Sequence, residues 1–203
     1  MADFHLLPRS ALAPFIKAGH HGAPTPKPGV LIREVTNFSL AYLTAFKGKG
    51  IELSGIIEKH FGIELPVASK TTSKNSVTFI SVGPSQWLAL AESTEAEKFI
   101  STLETLAGSI AAIVDQSDAR AIVEISGSMV RQTLEKGVSI DLHPTNFALG
   151  DAATTFAAHL WITLWQTRSD PAYRIAVFRG FGSPMLDWLI NSGAEFGCHI
   201  LGE

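Results

Sequence analysis

The chain of 203 residues has one cysteine, Cys198, two tyrosines and only 17% charged residues. A single cysteine excludes an intramolecular disulfide and any thiolate metal cluster built from this chain alone, and it suits a reducing compartment. Sixteen Lys+Arg against nineteen Asp+Glu leave a net charge of -3, and no run of five like charges occurs. A basic face for nucleic acid therefore has no support. No apolar stretch approaches the ~20 residues of a membrane-spanning helix. The most apolar one, Phe156 to Trp165, is about half that length and carries His159 and Thr163. A secretory signal is not expected either. Asp3 stands where a basic segment belongs, and Pro8 and Pro14 interrupt the apolar stretch. The expectation is a cytoplasmic protein.

What is present is 46% apolar residues and a mean hydropathy of +0.21. The charged fraction lies below the usual ~25%, which favours a chain that covers part of its outside with a partner. The length suits one compact domain or two small halves. Residues 1–29 read as an extended arm. Leu6, Leu7, Leu12 and Phe15 are its apolar anchors, followed by Gly19-His20-His21-Gly22 and Pro24-Thr25-Pro26-Lys27-Pro28-Gly29.

Residues 30–203 read as one α+β domain of two similar halves, 30–108 and 109–203. Each has the order hairpin, helix, hairpin, helix, which predicts a largely antiparallel sheet with helices packed on it. In the first half, Val30 to Phe46 predicts two strands. A helix over Ile51–Phe61 ends at Gly62, and Thr71–Asn75 is a polar loop. Val77–Val82 and Trp87–Ala91 form a hairpin. A helix over Glu95–Leu106 follows, with Ser93 or Thr94 as N-cap. In the second half, Ile110–Val114 and Ala121–Ile125 predict strands around a turn. A helix opens at Ser126-Gly127-Ser128 and closes at Gly137. Thr154–Thr167 reads as one bent strand, Tyr173–Phe178 as another, and Ser183–Ala194 as the closing helix. The two closing strands match in pattern, with Gln86 aligned on Tyr173.

Candidate chemical groups are few. The seven histidines are His5, His20, His21, His60, His143, His159 and His199, and no two have the i, i+4 spacing of a helical metal site. His20 and His21 read as exposed loop residues, and His159 as a core or interface residue of an apolar strand. Asp115, Asp118, Glu124 and Asp141 are the best carboxylates, without a recognisable catalytic spacing; turn-capping and loop-bracing roles are expected of them. Gly180-Phe181-Gly182-Ser183 precedes a helix, but Met185 stands where a dinucleotide fingerprint needs its third glycine, so a turn is expected. No G-x-S-x-G, C-x-x-C or phosphate-binding loop sequence occurs. Cys198 reads as a buried small residue. Of the four tryptophans, Trp87, Trp161, Trp165 and Trp188, the second and third lie an even number of residues apart. On a strand they share a face, as core or as an interface patch. No catalytic, cofactor-binding or metal residue is assigned in this chain.

An ordered set of short segments carries a family resemblance. They are Pro8-Arg9-Ser10-Ala11-Leu12, Val82-Gly83-Pro84-Ser85-Gln86-Trp87-Leu88, Val114-Asp115-Gln116-Ser117-Asp118-Ala119-Arg120, Ile125-Ser126-Gly127 and Lys136-Gly137. They continue with Asp141-Leu142-His143-Pro144, Phe147 with Gly150, and Arg179-Gly180-Phe181 before Trp188-Leu189. The sequence resembles the gamma subunits of heterotetrameric sarcosine oxidase; it departs from them at Gly180, where a serine is expected. The resemblance implies a non-catalytic subunit with the fold of the folate-binding domain of glycine-cleavage aminomethyltransferases. Its assembly would oxidise sarcosine to glycine and hydrogen peroxide, releasing formaldehyde or, with tetrahydrofolate, methylene-tetrahydrofolate. It implies alpha and beta partner subunits carrying FAD, FMN and NAD, and a zinc-binding delta subunit. Two other readings stand beside it: a free-standing folate-binding or aminomethyltransferase-like protein, and the equivalent subunit of an N-methyl amino acid dehydrogenase.

Overall fold

The computed structural model describes residues 9–93 and 96–202, and of Glu97 the backbone only. His5, Leu6, Leu7, Pro8 and the proposed cap Thr94 lie outside the described residues. Among the described residues twelve strands form two sheets. The arm contributes β1 (Gly19–His21), and the first half β2 (Val30–Val35), β3 (Phe38–Ala45), β4 (Thr71–Lys74), β5 (Val77–Gly83) and β6 (Gln86–Glu92). The second contributes β7 (Ala111–Asp115), β8 (Arg120–Ser126), β9 (Ala152–Ala157), β10 (Leu160–Arg168), β11 (Ala172–Phe178) and β12 (Cys198–Ile200). The helices are α1 (Gly50–Phe61), α2 (Ala96–Ala107), α3 (Val130–Glu135) and α4 (Gly182–Gly193).

The five-stranded sheet has the order β4-β5-β6-β3-β7 and the seven-stranded sheet the order β1-β12-β2-β8-β11-β10-β9. Neighbouring strands are antiparallel except β12 and β2. The sheets face each other over Val35, Leu40, Ile80, Leu88, Leu90, Ile122, Trp165 and Ala176. On the outer face of the smaller sheet, Leu53 and Ile57 of α1 and Phe99 and Leu103 of α2 pack on Leu43, Phe79 and Trp87. On the outer face of the larger one, Val130, Leu134, Met185 and Leu189 of α3 and α4 pack on Val123, Ile125, Ile162, Tyr173 and Ile175. The result is four layers, with helices outside and sheets inside. The period-2 alternation of the strands and the 3.6-period stripes of the helices supply these faces. Gly62 ends α1 in the left-handed conformation, at φ 64, with its N–H donating to Glu58 O at 2.8 Å.

Several sequence expectations change. The opening strand pair of each half is not a hairpin: β2 joins the larger sheet while β3 joins the smaller, and β7 and β8 divide in the opposite sense. Each half thus lends its first strand to the other's sheet. Thr71–Lys74 is a strand and not a loop; it pairs with β5 through a turn at Asn75, whose φ is 55. The stretch expected as one bent strand is the β9–β10 hairpin. It turns at Ala158 and His159, at φ 47 and 71, without the glycine or asparagine that such a turn prefers. Gly19–His21, expected as loop, pairs with β12, and Leu12 is fully buried.

The match between the closing strands also shifts by one residue. Trp87 pairs with Ser81 just before the bulge of one hairpin, and Tyr173 pairs with Gln166 just before the bulge of the other. Trp87 therefore corresponds to Tyr173. Both face their helices, whereas the shifted alignment would turn every side chain to the opposite face.

Candidate functional site

The seam between the sheets holds the densest polar cluster. Glu124 on β8 and Arg174 on β11 are register partners, and Arg33 on β2 flanks Glu124 from the other side. All three stand on the inner face. Arg174 Nε donates to Glu124 Oε2 at 3.1 Å, while Nη1 and Nη2 donate to the two oxygens of Glu92 at 2.7 and 3.1 Å. Arg33 donates to Glu124 Oε1 at 3.0 Å, and Arg168 reaches the same oxygen at 3.5 Å. Burial alone would raise the pKa of the Glu124 carboxyl. Hydrogen bonds from Arg33 and Arg174, and their charges, outweigh it and hold the group below the ordinary carboxylate range. The two carboxylates likewise outweigh the desolvation of Arg174 and raise its pKa.

A carboxylate held ionised with both oxygens occupied is a poor proton acceptor, and a guanidinium shared between two carboxylates is not free for an anion. This cluster joins the sheets. A cleft of about 330 Å³ beside it is lined by Thr71, Ser73, Thr78, Trp165, Gln166 and Arg174, among others.

The remaining candidates are dispersed. Asp115 accepts from the backbone N–H and hydroxyl of Ser117 at 2.8 and 2.6 Å, which braces its turn. Asp118 is exposed. Asp141 accepts from the His143 N–H at 2.8 Å and from the Asn146 amide; these bonds lower its pKa, the His143 N–H contributing most. His143 Nδ1 lies 2.8 Å from Thr145 Oγ1. His20 and His21 bond through Nε2 to the carbonyls of Ala23 and Lys17 at 2.7 and 2.6 Å. His20 faces His199 across β1 and β12, and His60 packs edge-on against Phe61. His159, expected in a strand, is exposed in the β9–β10 turn because the chain reverses there. Among the described residues no three His, Cys, Asp or Glu side chains converge.

Cys198 is buried, and burial pushes its thiol up to about 11. The first turn of α4 is packed: a Cβ on Gly182 would stand 2.7 Å from Leu12 Cδ2. That glycine admits the N-terminal segment rather than a phosphate. Trp87 is buried with Nε1 donating to Pro66 O at 2.8 Å, and Trp165 is buried in the seam. Trp161 shares the inner face with Trp165 but is 47% exposed. Sequence reasoning did not single out Arg120, which is buried with Nη1 lacking a hydrogen-bond partner among the described residues. The clue available was an arginine beginning an otherwise apolar strand.

This four-layer arrangement defines an aminomethyltransferase-like α+β domain. Glycine cleavage system aminomethyltransferase T from Bartonella henselae superimposes with a TM-score of 0.64 over 87% of this chain and 48% of that one; at 10% identity the likeness is one of fold. The chain belongs to the sarcosine oxidase, gamma subunit family, whose model matches residues 51–195. It is 26% identical over 200 residues to sarcosine oxidase subunit gamma of Corynebacterium sp. (strain U-96), covering 97% of this chain and 95% of that one. It is also 26% identical over 169 residues to the Arthrobacter sp. subunit gamma, covering 82% and 81%. A chain of the heterotetrameric sarcosine oxidase of Corynebacterium sp. U-96, solved with pyrrole 2-carboxylate, superimposes with a TM-score of 0.79 at 26% identity, over 94% of this chain and 97% of that one. No helix among the described residues is long and apolar enough to cross a membrane.

Proposed function

We propose that this chain is the non-catalytic gamma subunit of a heterotetrameric sarcosine oxidase and acts by docking onto the flavin-bearing subunits. The observation that carries the reading is the end-to-end likeness to the Corynebacterium chain, in sequence and in fold. The assembly oxidatively demethylates sarcosine to glycine with hydrogen peroxide, the methyl carbon leaving as formaldehyde or as methylene-tetrahydrofolate. FAD, FMN, NAD and tetrahydrofolate belong to the alpha and beta subunits in this reading, and zinc to the delta subunit. The satisfied carboxylates and buried thiol described above support a structural role for this chain. We further propose a cytoplasmic location, and a division into an arm over residues 1–29 and halves over 30–108 and 109–203. The matching strand orders of the two sheets support that division.

Co-expression with flavin-bearing alpha and beta subunits tests the reading. One co-eluting species with a flavin spectrum and sarcosine-dependent peroxide production is expected, while the isolated chain is colourless and inactive. Turnover by the isolated chain, or its failure to co-elute, would overturn the proposal. The fold likeness to an aminomethyltransferase keeps one second reading, a free-standing folate-binding protein. Saturable one-to-one binding of tetrahydrofolate to the isolated chain would favour it.

A further inference from the structure

At one end of the larger sheet's inner face four side chains stand in a row across four strands. Phe156 on β9 is the register partner of Trp161 on β10. Trp161 and Phe178 on β11 lie one step beyond the Ile162–Val177 pair. Phe178 is in turn the partner of Arg120 on β8. Each is an even number of residues from Ala152, Trp165, Ala176 or Ile122, which fill the seam, so all four side chains are on the inner face. Three inter-strand spacings make the row about 14 Å long.

Phe156, Trp161 and Phe178 are 47, 47 and 42% exposed, and the rings of the first two stack edge to face with centroids 4.8 Å apart. Arg120 closes the row with 7% exposure and its Cζ 3.9 Å from the Phe178 ring centre. Its Nε donates to Gln116 Oε1 at 3.2 Å, while Nη1 has no hydrogen-bond partner among the described residues. No carboxylate among the described residues pairs with it.

Building on the docking reading above, we propose that this row is where the chain meets its larger partner subunit, which brings a carboxylate to the Arg120 guanidinium and apolar side chains to the three rings. Contiguous exposed aromatic surface is what a chain working alone avoids. Aromatic residues and arginine dominate the energetics of protein interfaces. Among the described residues the sheltered cation lacks the counter-charge that such cations take in folded proteins, and in this proposal the partner supplies it. A row that crosses four strands, open along three and closed by Arg120 on the fourth, fits an extended protein segment.

The test measures the affinity of the purified chain for the complex of its partner subunits, with thermal melts of each free variant as a check on folding. Trp161→Ala and Phe178→Ala should each weaken binding about 30-fold or more. Ile51→Ala, at a site 91% exposed on α1, should not change it. Arg120→Met should weaken binding about 10-fold and flatten its salt dependence, whereas Arg120→Lys keeps that dependence. Should Phe178→Ala fail to fold, hydrogen-exchange protection over residues 156–161 on assembly replaces it. If wild type binds and the row variants bind equally well, without protection over 156–161, the row proposal falls while the docking reading stands. If wild type does not bind its partners at all, the docking reading falls and takes the row with it. A self-dimer lost in Trp161→Ala would assign the row to a second copy of this chain and overturn the proposal.

Discussion

Tyr42 and Leu88 on the smaller sheet occupy the positions that Glu124 and Arg174 hold on the larger one, and Phe38 and Glu92 stand where Arg120 and Phe178 stand. The strands, registers and bulges correspond, yet the two ends of the seam have opposite chemistry. At one end Arg174 lies between Glu92 and Glu124, and every charge has a partner within the chain. At the other end Arg120 lies against a ring, with an aromatic row open to solvent. The same backbone frame accommodates an ionic filling that is complete in itself and an aromatic one that is not. Self-sufficiency is therefore decided by side chains, not by topology.

The largest expected effect is at the complete end. Glu124→Gln removes one of the two carboxylates of a buried arginine and should cost about 3 kcal/mol by urea unfolding near neutral pH. The folded pKa of Glu124 is lowered, so its contribution is present above the unfolded carboxylate pKa and is lost as pH falls through the folded value. The gap between wild type and Glu124→Gln should therefore close on acidification from about pH 6 to pH 3. A gap that stays constant would mean that the carboxylate charge is not what the variant removes.

Trp87 and Tyr173, at corresponding positions facing the helices, sharpen the comparison. Trp87→Phe loses the bond to Pro66 O and some core volume, and should cost about 1–2 kcal/mol. A smaller effect of opposite sign is expected at the open end. Arg120→Met replaces a sheltered, unpaired cation with an apolar chain of similar length, and should leave the free chain equally stable or about 1 kcal/mol more stable. A loss above about 2 kcal/mol would show Arg120 to be a structural member of the seam. Smallest of all is Tyr173→Phe. The Tyr173 hydroxyl is buried beside the Arg131 side chain but makes no well-formed hydrogen bond among the described residues, so its removal should change the unfolding free energy by less than about 1 kcal/mol. A cost like that of Trp87→Phe would break the contrast between the two positions.

Local pattern determined a good deal by itself. The two short apolar runs Val77–Val82 and Trp87–Ala91, with Gly83-Pro84 between them, specified the β5–β6 hairpin. The apolar stripe of Ile51–Phe61 with Gly62 behind it specified α1, and the even spacing of Trp161 and Trp165 put both on one face. These are properties of backbone geometry over a few residues. The ordered segments from Pro8 to Leu189 carried the family. The tertiary structure alone decided that β2 and β3 part to different sheets, since which strands pair depends on contacts remote in sequence. It decided the turn at Ala158 and His159, where packing of the two flanking strands outweighs the cost of positive φ in residues other than glycine. It decided that Trp87, and not Gln86, corresponds to Tyr173, because bulge position sets register. It also decided that Trp165 is core while Trp161 is surface. Parity along a strand chooses the face, but how far the opposite sheet reaches chooses what is covered, and only the folded chain sets that reach.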